Sequence, residues 1–420
     1  MPTRLDRYRA LEYPLPERTL VWQLSGAGFE SFALAEIPRR EPGPGEIAFR
    51  VDTNSICFSD VKVVKLGPRH PRLAGYDMAR DKVVLGHEIS VTVTGKGAGT
   101  SPRIRVGGRY IVQADLFEYN TAVGYAVWGG MIQYGIFDRR VENYLIPIEG
   151  DIGYSAASLV EPWACVEASY ARCDILPTDR AVWIMGGGGP MGQMHILRTL
   201  GAKRLGRAPG LQALLVTDVS EERLGAVRRR FEETARAVGV SFPCLNPAAP
   251  GFDEAIRRSA PRGIDYIVAC VPVPEVVVDC RKYLNRYGVL NIFAGLARGT
   301  GPVCLGDIHY DQHTFTGNTG SRLEDMVKVL RATERGEMDT DASAAAVVGM
   351  RSACDGVRAV AENAITNKIV IYPQLADLPL LRIEELPRIV PFSPGVRAEV
   401  EAGRWSKRAE AELLEALLPI

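Results

Sequence analysis

Between residues 46 and 114, apolar and polar positions alternate or cluster in short runs: EIAFRVDTNSIC (46–57), ISVTVTGKG (89–97) and RYIVQA (109–114). Each is rich in β-branched and aromatic residues and bounded by turn residues such as EPGPG, so each predicts a strand, the first ending at Cys57. From about Leu159 the texture changes to strand and helix in alternation. AVWIM (181–185) is followed by glycines and a helical stretch, ALLVTD (213–218) by a long helix beginning at SEERL, and IDYIVACV (264–271) by a helix through VVVDCRKYL and then GVLNIFAG (288–295). That alternation predicts a parallel sheet over residues 166–317. The chain then leaves through the strand and turn residues of IHYDQHTFTGNTG (308–320) into a helix, LEDMVKVLRATERG. Residues 318–420 are expected to rejoin the β-rich portion, 1–165, and to end in one charged helix, VRAEVEAGRWSKRAEAELLEALL.

Length supports two domains, since 420 residues exceed one ordinary core. The 46% hydrophobic and 24% charged content is that of a folded globular chain. Fifty basic residues balance fifty acidic ones, so no net field draws the chain onto nucleic acid or an anionic membrane. The N-terminus has charges and prolines where a secretory signal needs an apolar run, and no segment approaches 18 uninterrupted apolar residues, which predicts a cytoplasmic protein. The eight cysteines are scattered without a CxxC pair, as expected of reduced thiols.

Candidate chemistry begins with GGGGPMG (186–192), directly after the strand AVWIM and before a predicted helix. Gly187, Gly189 and Gly192 meet the G-x-G-x-x-G spacing, and Pro190 and Met191 complete the loop. In that context the loop binds a dinucleotide pyrophosphate through backbone N–H groups and the positive end of the helix; the blander alternative is a glycine-rich turn. Asp218 ends the next strand, where a carboxylate accepts from the adenosine ribose hydroxyls and favours NAD, while Arg223 leaves NADP open. The other reading of Asp218 is a helix N-cap, a role Ser220 could fill as well.

Cys57, His87, Glu88 and Glu161 form a candidate set for a catalytic zinc, which needs thiolate, imidazole or carboxylate donors and an open position for a substrate oxygen. Ser59, two residues after Cys57, could carry the alcohol proton toward solvent, and Asp60 could orient a ligand imidazole. Each has a duller alternative: a small buried hydrophobe for Cys57, a polar turn for Gly-His-Glu, a helix start for Glu161-Pro162.

Taken in order, CFSD, GHE, SLVEP and GGGGPMG resemble the zinc-containing medium-chain dehydrogenases, especially their sorbitol dehydrogenase branch. The resemblance implies a Rossmann doubly wound parallel sheet plus a β-rich, GroES-like catalytic domain. It implies Cys57, His87 and Glu88 as zinc ligands, Glu161 as an acid that ligates the metal or holds its water, and Ser59 as proton relay. One catalytic zinc per chain is expected and no structural zinc, because residues 89–160 contain no cysteine. Residues 114–147 stand there instead, and with VQADL and GGMIQY they look like the L-sorbose-1-phosphate reductase group, which implies a polyol, cyclitol, sugar or sugar phosphate substrate. Tyr119, Tyr125, Trp128 and Tyr134 could wall the substrate pocket or simply cover a sheet edge, and Lys62, Lys65 and Arg69 read as solvated charge or as a phosphate site. The expected activity is NAD(P)-linked interconversion of a secondary alcohol and its ketone; the alternatives are a zinc-free quinone or enone reductase and a non-catalytic dinucleotide-binding protein. Edge pairing of strands around GVLNIFAG predicts a homodimer or homotetramer.

Overall fold

A computed structural model describes residues 2–297 and 299–420. The chain divides into two compact units, one running to Ala164 and resuming at Arg322, the other Cys165–Ser321. Among the described residues, no helix is long and apolar enough to cross a membrane.

The first unit is built on an eight-stranded sheet. Its central strand, Ile47–Ser55, is buried at every position, the polar Arg50, Asp52, Thr53, Asn54 and Ser55 included. It pairs antiparallel with Glu88–Lys96 on one side and Lys368–Tyr372 on the other, and near its start with Tyr134–Phe137. The C-terminal segment thus re-enters the first unit by contributing Ala344–Gly349, Lys368–Tyr372 and Leu381–Arg382 to that sheet. Because both faces are covered, the polar pair Arg50 and Asp52 lies inside, 2.7 Å apart, and its remaining valences are met by the Tyr8 carbonyl, Tyr13 and Thr92.

Two expectations fail here. The terminal helix is two helices, Pro394–Glu401 and Lys407–Leu417. Gly403 takes a left-handed backbone (φ 70°), Trp405 turns inward to donate to Ser155 Oγ, and Ser406 caps the second helix. The exit segment 308–320 is not extended at its start: Leu305–Tyr310 is helical and only Thr314–Gly317 is a strand.

The second unit is a six-stranded, fully parallel sheet. Its strands run Cys244–Leu245, Ala213–Thr217, Ala181–Met185, Ile264–Ala269, Leu284–Ile292, Thr314–Gly317. Numbered within the unit, that order is 3-2-1-4-5-6, the doubly wound Rossmann arrangement, and it puts the topological switch between Ala181–Met185 and Ile264–Ala269. The carboxyl end of Ala181–Met185 is where the glycine loop begins.

Candidate metal and dinucleotide sites

Cys57 closes the central strand and opens the helix Phe58–Leu66. The Asp60 side chain turns back to accept from Cys57 N at 2.9 Å with one oxygen, and its other oxygen accepts from Gly86 N at 3.2 Å. That second oxygen also lies 3.3 Å from His87 Nδ1, close enough for an ion pair although off the line of a hydrogen bond. Gly86 makes the approach possible: its φ is +95°, and a Cβ there would fall 2.5 Å from Asn54 Oδ1. Burial alone would depress the His87 pKa, but Asp60 and then Cys57 outweigh it and hold the imidazole well above its ordinary range.

Glu88 stands directly across the sheet from Ser55, so their side chains share a face. One carboxylate oxygen accepts from Ser55 Oγ and the other meets Lys368 Nζ at 2.5 Å. Lys368 is buried; desolvation opposes its charge, yet Glu88 and Cys57 raise its pKa above normal. Ligand atoms of Cys57, His87 and Glu88 all lie within 4.8 Å of one another. A tetrahedral zinc with bonds of ~2.0–2.3 Å sets its ligands roughly 3.5 Å apart, so the three need only a small closure. Asp60 facing Nδ1 at ion-pair distance leaves Nε2 as the nitrogen free to ligate, and Ser55 and Lys368 each hold one oxygen of Glu88; partners of this kind orient metal-ligating imidazoles and carboxylates. The donor set fits zinc.

Glu161 lies half-buried in the first turn of the helix Val160–Tyr170 and is not one of the three mutual neighbours. Its charge nevertheless acts on both Lys368 and Arg72. Ser59 Oγ sits 3.0 Å from Cys57 Sγ, beside the metal donors. Of the four aromatics that could wall a pocket or cover a sheet edge, Tyr125 stands at this site, its ring centroid 6.3 Å from that of His87. Tyr134 points to Tyr13, Trp128 donates to the Lys82 carbonyl and Tyr119 is exposed, because Tyr134–Phe137 is drawn into the main sheet. Lys62, Lys65 and Arg69 are exposed. Sequence reasoning passed over Lys368, whose only signal is a charged residue opening the apolar run KIVIY, and His70 and Arg72, whose rings and charge gather on Tyr125.

In the second unit the glycine loop joins Ala181–Met185 to the helix Pro190–Arg204. A Cβ on Gly187 would lie 2.2 Å from Val216 Cγ1, and one on Gly192 would lie 2.4 Å from the Gly186 carbonyl, so both are fixed by packing. Gly189 is different: a Cβ there meets nothing closer than 3.7 Å, and it caps the 15-residue helix with no side-chain hydrogen bond. Gly189, Pro190 and Met191 are partly exposed, so first-turn amides and the helix dipole remain available to an anion. Asp218 accepts from Gly188 N (3.1 Å) and Ser220 N (3.0 Å) at the rim of the loop, and the N-cap role goes to Ser220, as that helix needs only one cap. Arg223 packs its Cβ against Gly188. The residues fit a dinucleotide.

No family model matches the chain. It is 24% identical over 404 residues to mannitol-1-phosphate 5-dehydrogenase of Aliivibrio fischeri, covering 88% of this chain and 92% of that one. It is 25% identical to L-galactonate-5-dehydrogenase of Escherichia coli, covering 71% and 83%. Among solved structures, 2R,3R-butanediol dehydrogenase of Bacillus subtilis superposes with a TM-score of 0.68 at 19% identity, over 84% of this chain and 99% of that one. The fold is that of the medium-chain dehydrogenases. A cobalt- and zinc-bound alcohol dehydrogenase of Pyrobaculum aerophilum shares this dehydrogenase fold, with a TM-score of 0.63 at 18% identity over 85% of this chain and all of that one.

Proposed function

We propose that this chain is a zinc-dependent, NAD(P)-linked dehydrogenase that interconverts a secondary alcohol of a polyol or sugar acid or phosphate with its ketone. The observation that carries the reading is the trio of half-buried Cys57 and buried His87 and Glu88, each braced by a second residue, in a chain that also carries a glycine loop at the switch point of a parallel sheet. A zinc held there supplies Lewis acidity to the substrate oxygen. Cys57, His87 and Glu88 would hold the ion, with Glu161 as a candidate fourth donor. Asp60 keeps His87 in the tautomer that presents Nε2. The Ser59 hydroxyl takes the proton released from the substrate oxygen and passes it outward. The glycine loop seats the pyrophosphate, and Asp218 binds the adenosine ribose in NAD and repels a 2′-phosphate, so NAD is the preferred cofactor. Both relatives act, by name, on six-carbon chains with an anionic group at carbon 1 and oxidation at carbon 5.

In a homo-oligomer of this chain, edge pairing would fall on a different strand from the one expected. Leu284–Ile292, which contains most of GVLNIFAG, is flanked on both sides and has no free edge; Cys244–Leu245 and Thr314–Gly317 are the two edge strands, and Thr314–Gly317 is the longer. Next to it along the chain Leu305, Ile308 and Tyr310 are exposed, an apolar strip a second copy would cover. Zinc analysis joined to an NADH absorbance assay over neutral and anionic polyols tests the main reading. About one zinc per chain with chelator-sensitive turnover is expected; zinc-free protein that oxidises a polyol equally well overturns it.

A further inference from the structure

The dehydrogenase reading leaves unexplained a group of side chains beside the metal donors. Tyr125 is buried and packs near His87 on one side. On its other contacts lie the His70 ring, 5.3 Å between centroids, and the Arg72 guanidinium, 5.2 Å from the Tyr125 centroid. Lys62, on the helix that Cys57 opens, acts on the same His70, as does Arg72: burial first, then these two cations, lower the His70 pKa. The His70 Nδ1 accepts from Arg72 N at 3.3 Å, so its proton sits on Nε2 and the ring is an outward donor. Arg72 is tied through Nη1 to Asp115, the one acid paired with it, and feels Glu161 from the metal side; Nη2 and Nε remain for another acceptor. One guanidinium and an imidazole N–H therefore meet around one aromatic ring, two ring contacts from the His87 imidazole.

Resting on the dehydrogenase reading, we propose that Arg72 and His70 form the subsite for an anionic end of the substrate, a phosphate monoester or a carboxylate, held four carbons from the carbinol that is oxidised. Charge-assisted hydrogen bonds to an oxyanion are the strong class, and a guanidinium fork suits either anion. Tyr125 sets the spacing: it fills the distance between metal donor and cation, so the carbon chain of the substrate lies along its ring. A neutral polyol of the same length reaches the metal but leaves Arg72 with only Asp115. Asp115 competes with the substrate anion for the same guanidinium, so removing it strengthens substrate binding, the opposite sign to removing Arg72.

Matched substrates test this on the zinc-loaded enzyme: mannitol against mannitol 1-phosphate, and galactitol against galactonate, with kcat and KM measured separately. The expected result is a kcat/KM at least roughly tenfold higher for the anionic member, carried by KM. In Arg72→Gln the anionic-to-neutral ratio falls tenfold or more, and in Asp115→Asn it rises. Whichever of phosphate and carboxylate shows the larger ratio names the anion. Equal turnover of neutral and anionic members, with a ratio unmoved in both variants, overturns the subsite while the dehydrogenase stands. If no polyol turns over in zinc-loaded protein, the dehydrogenase reading has failed; calorimetry with mannitol 1-phosphate then decides the subsite alone, since binding that Arg72→Gln abolishes supports it and absence of binding in the parent protein refutes it.

Discussion

Lys368→Met should expose how much of the metal site is organised before any ion arrives. Lys368 and Glu88 are both almost fully buried, with side-chain exposures of 4% and 1%, and they meet at 2.5 Å. Truncating one partner of such a pair leaves an uncompensated buried charge, a loss of about 3–5 kcal/mol. Here Glu88 keeps its hydrogen bond from Ser55 Oγ, so the lower end, about 3 kcal/mol, applies. For a unit of this size that corresponds to a fall of roughly 6–12 °C in melting temperature. The assay is thermal and urea unfolding of chelator-treated protein, followed by circular dichroism. Glu88→Gln in the same background removes the stranded charge, so the double variant should recover most of the loss, and the four proteins form a double-mutant cycle with a coupling energy above about 1.5 kcal/mol. A Lys368→Met protein as stable as its parent, or a double variant less stable than either single one, would refute the claim that this ion pair braces the site.

Cys57→Ala and Glu88→Ala should each lower turnover by more than ~100-fold, beyond the cost of losing an outer-shell partner, while NADH binding followed by fluorescence stays intact; near-normal activity in either would remove it from the ligand set. Gly187→Ala drives a methyl into Val216 Cγ1 and should weaken NADH binding at least roughly tenfold without loss of bound zinc, read by fluorescence titration and metal analysis. Asp218→Asn should lower the NAD-to-NADP ratio of kcat/KM by about tenfold, and an unchanged ratio would move ribose recognition elsewhere. Asp179, raised to about 6 chiefly by burial against the pull of the Leu176 amide, favours folding below its unfolded value near 3.8 and loses that contribution as pH rises through 6. Asp179→Asn should therefore gain stability over the parent between pH 4 and 7, by at most about 3 kcal/mol, in denaturation curves collected across that range; a gap independent of pH would contradict the assignment.

The parts of the molecule legible in the sequence are those whose physics is local. The glycine loop, the strand that precedes it and Asp218 at the end of the next lie within a single βαβ unit, and their spacing is dictated by the turn itself. Cys57, Ser59 and Asp60 lie within one helical turn, and Asp60 indeed returns to face His87. The C-terminal helix break was less visible, because Gly403 lies inside an amphipathic run and only the burial of Trp405 makes the break favourable. The four aromatics divide between the two readings for a related reason: Tyr134 is close to Tyr125 along the chain, yet strand pairing with Ile47–Ser55 carries it to another part of the unit.

Lys368 shows what no local pattern could supply. It is 280 residues from Glu88, and nothing in KIVIY says which strand it will meet. The register says it: Val370 pairs with Ser55, Ser55 pairs with Glu88, and Ile56 N donates to the Ile369 carbonyl. One further step along these antiparallel strands brings Lys368 level with Cys57, while Glu88 remains level with Ser55. A thiol, a carboxylate and a lysine therefore reach one place because three strands end there together. A one-residue slip of Lys368–Tyr372 would turn Lys368 to the opposite face and strand Glu88. The apolar residues of that strand, Ile369, Val370 and Ile371, are all fully buried, with Ile369 and Ile371 in one core and Val370 in another, so either face would accept them after a slip and only the charged Lys368 would lose its place. The Lys368–Glu88 ion pair therefore discriminates the register that apolar burial leaves open, and the register in turn places the lysine beside the metal donors.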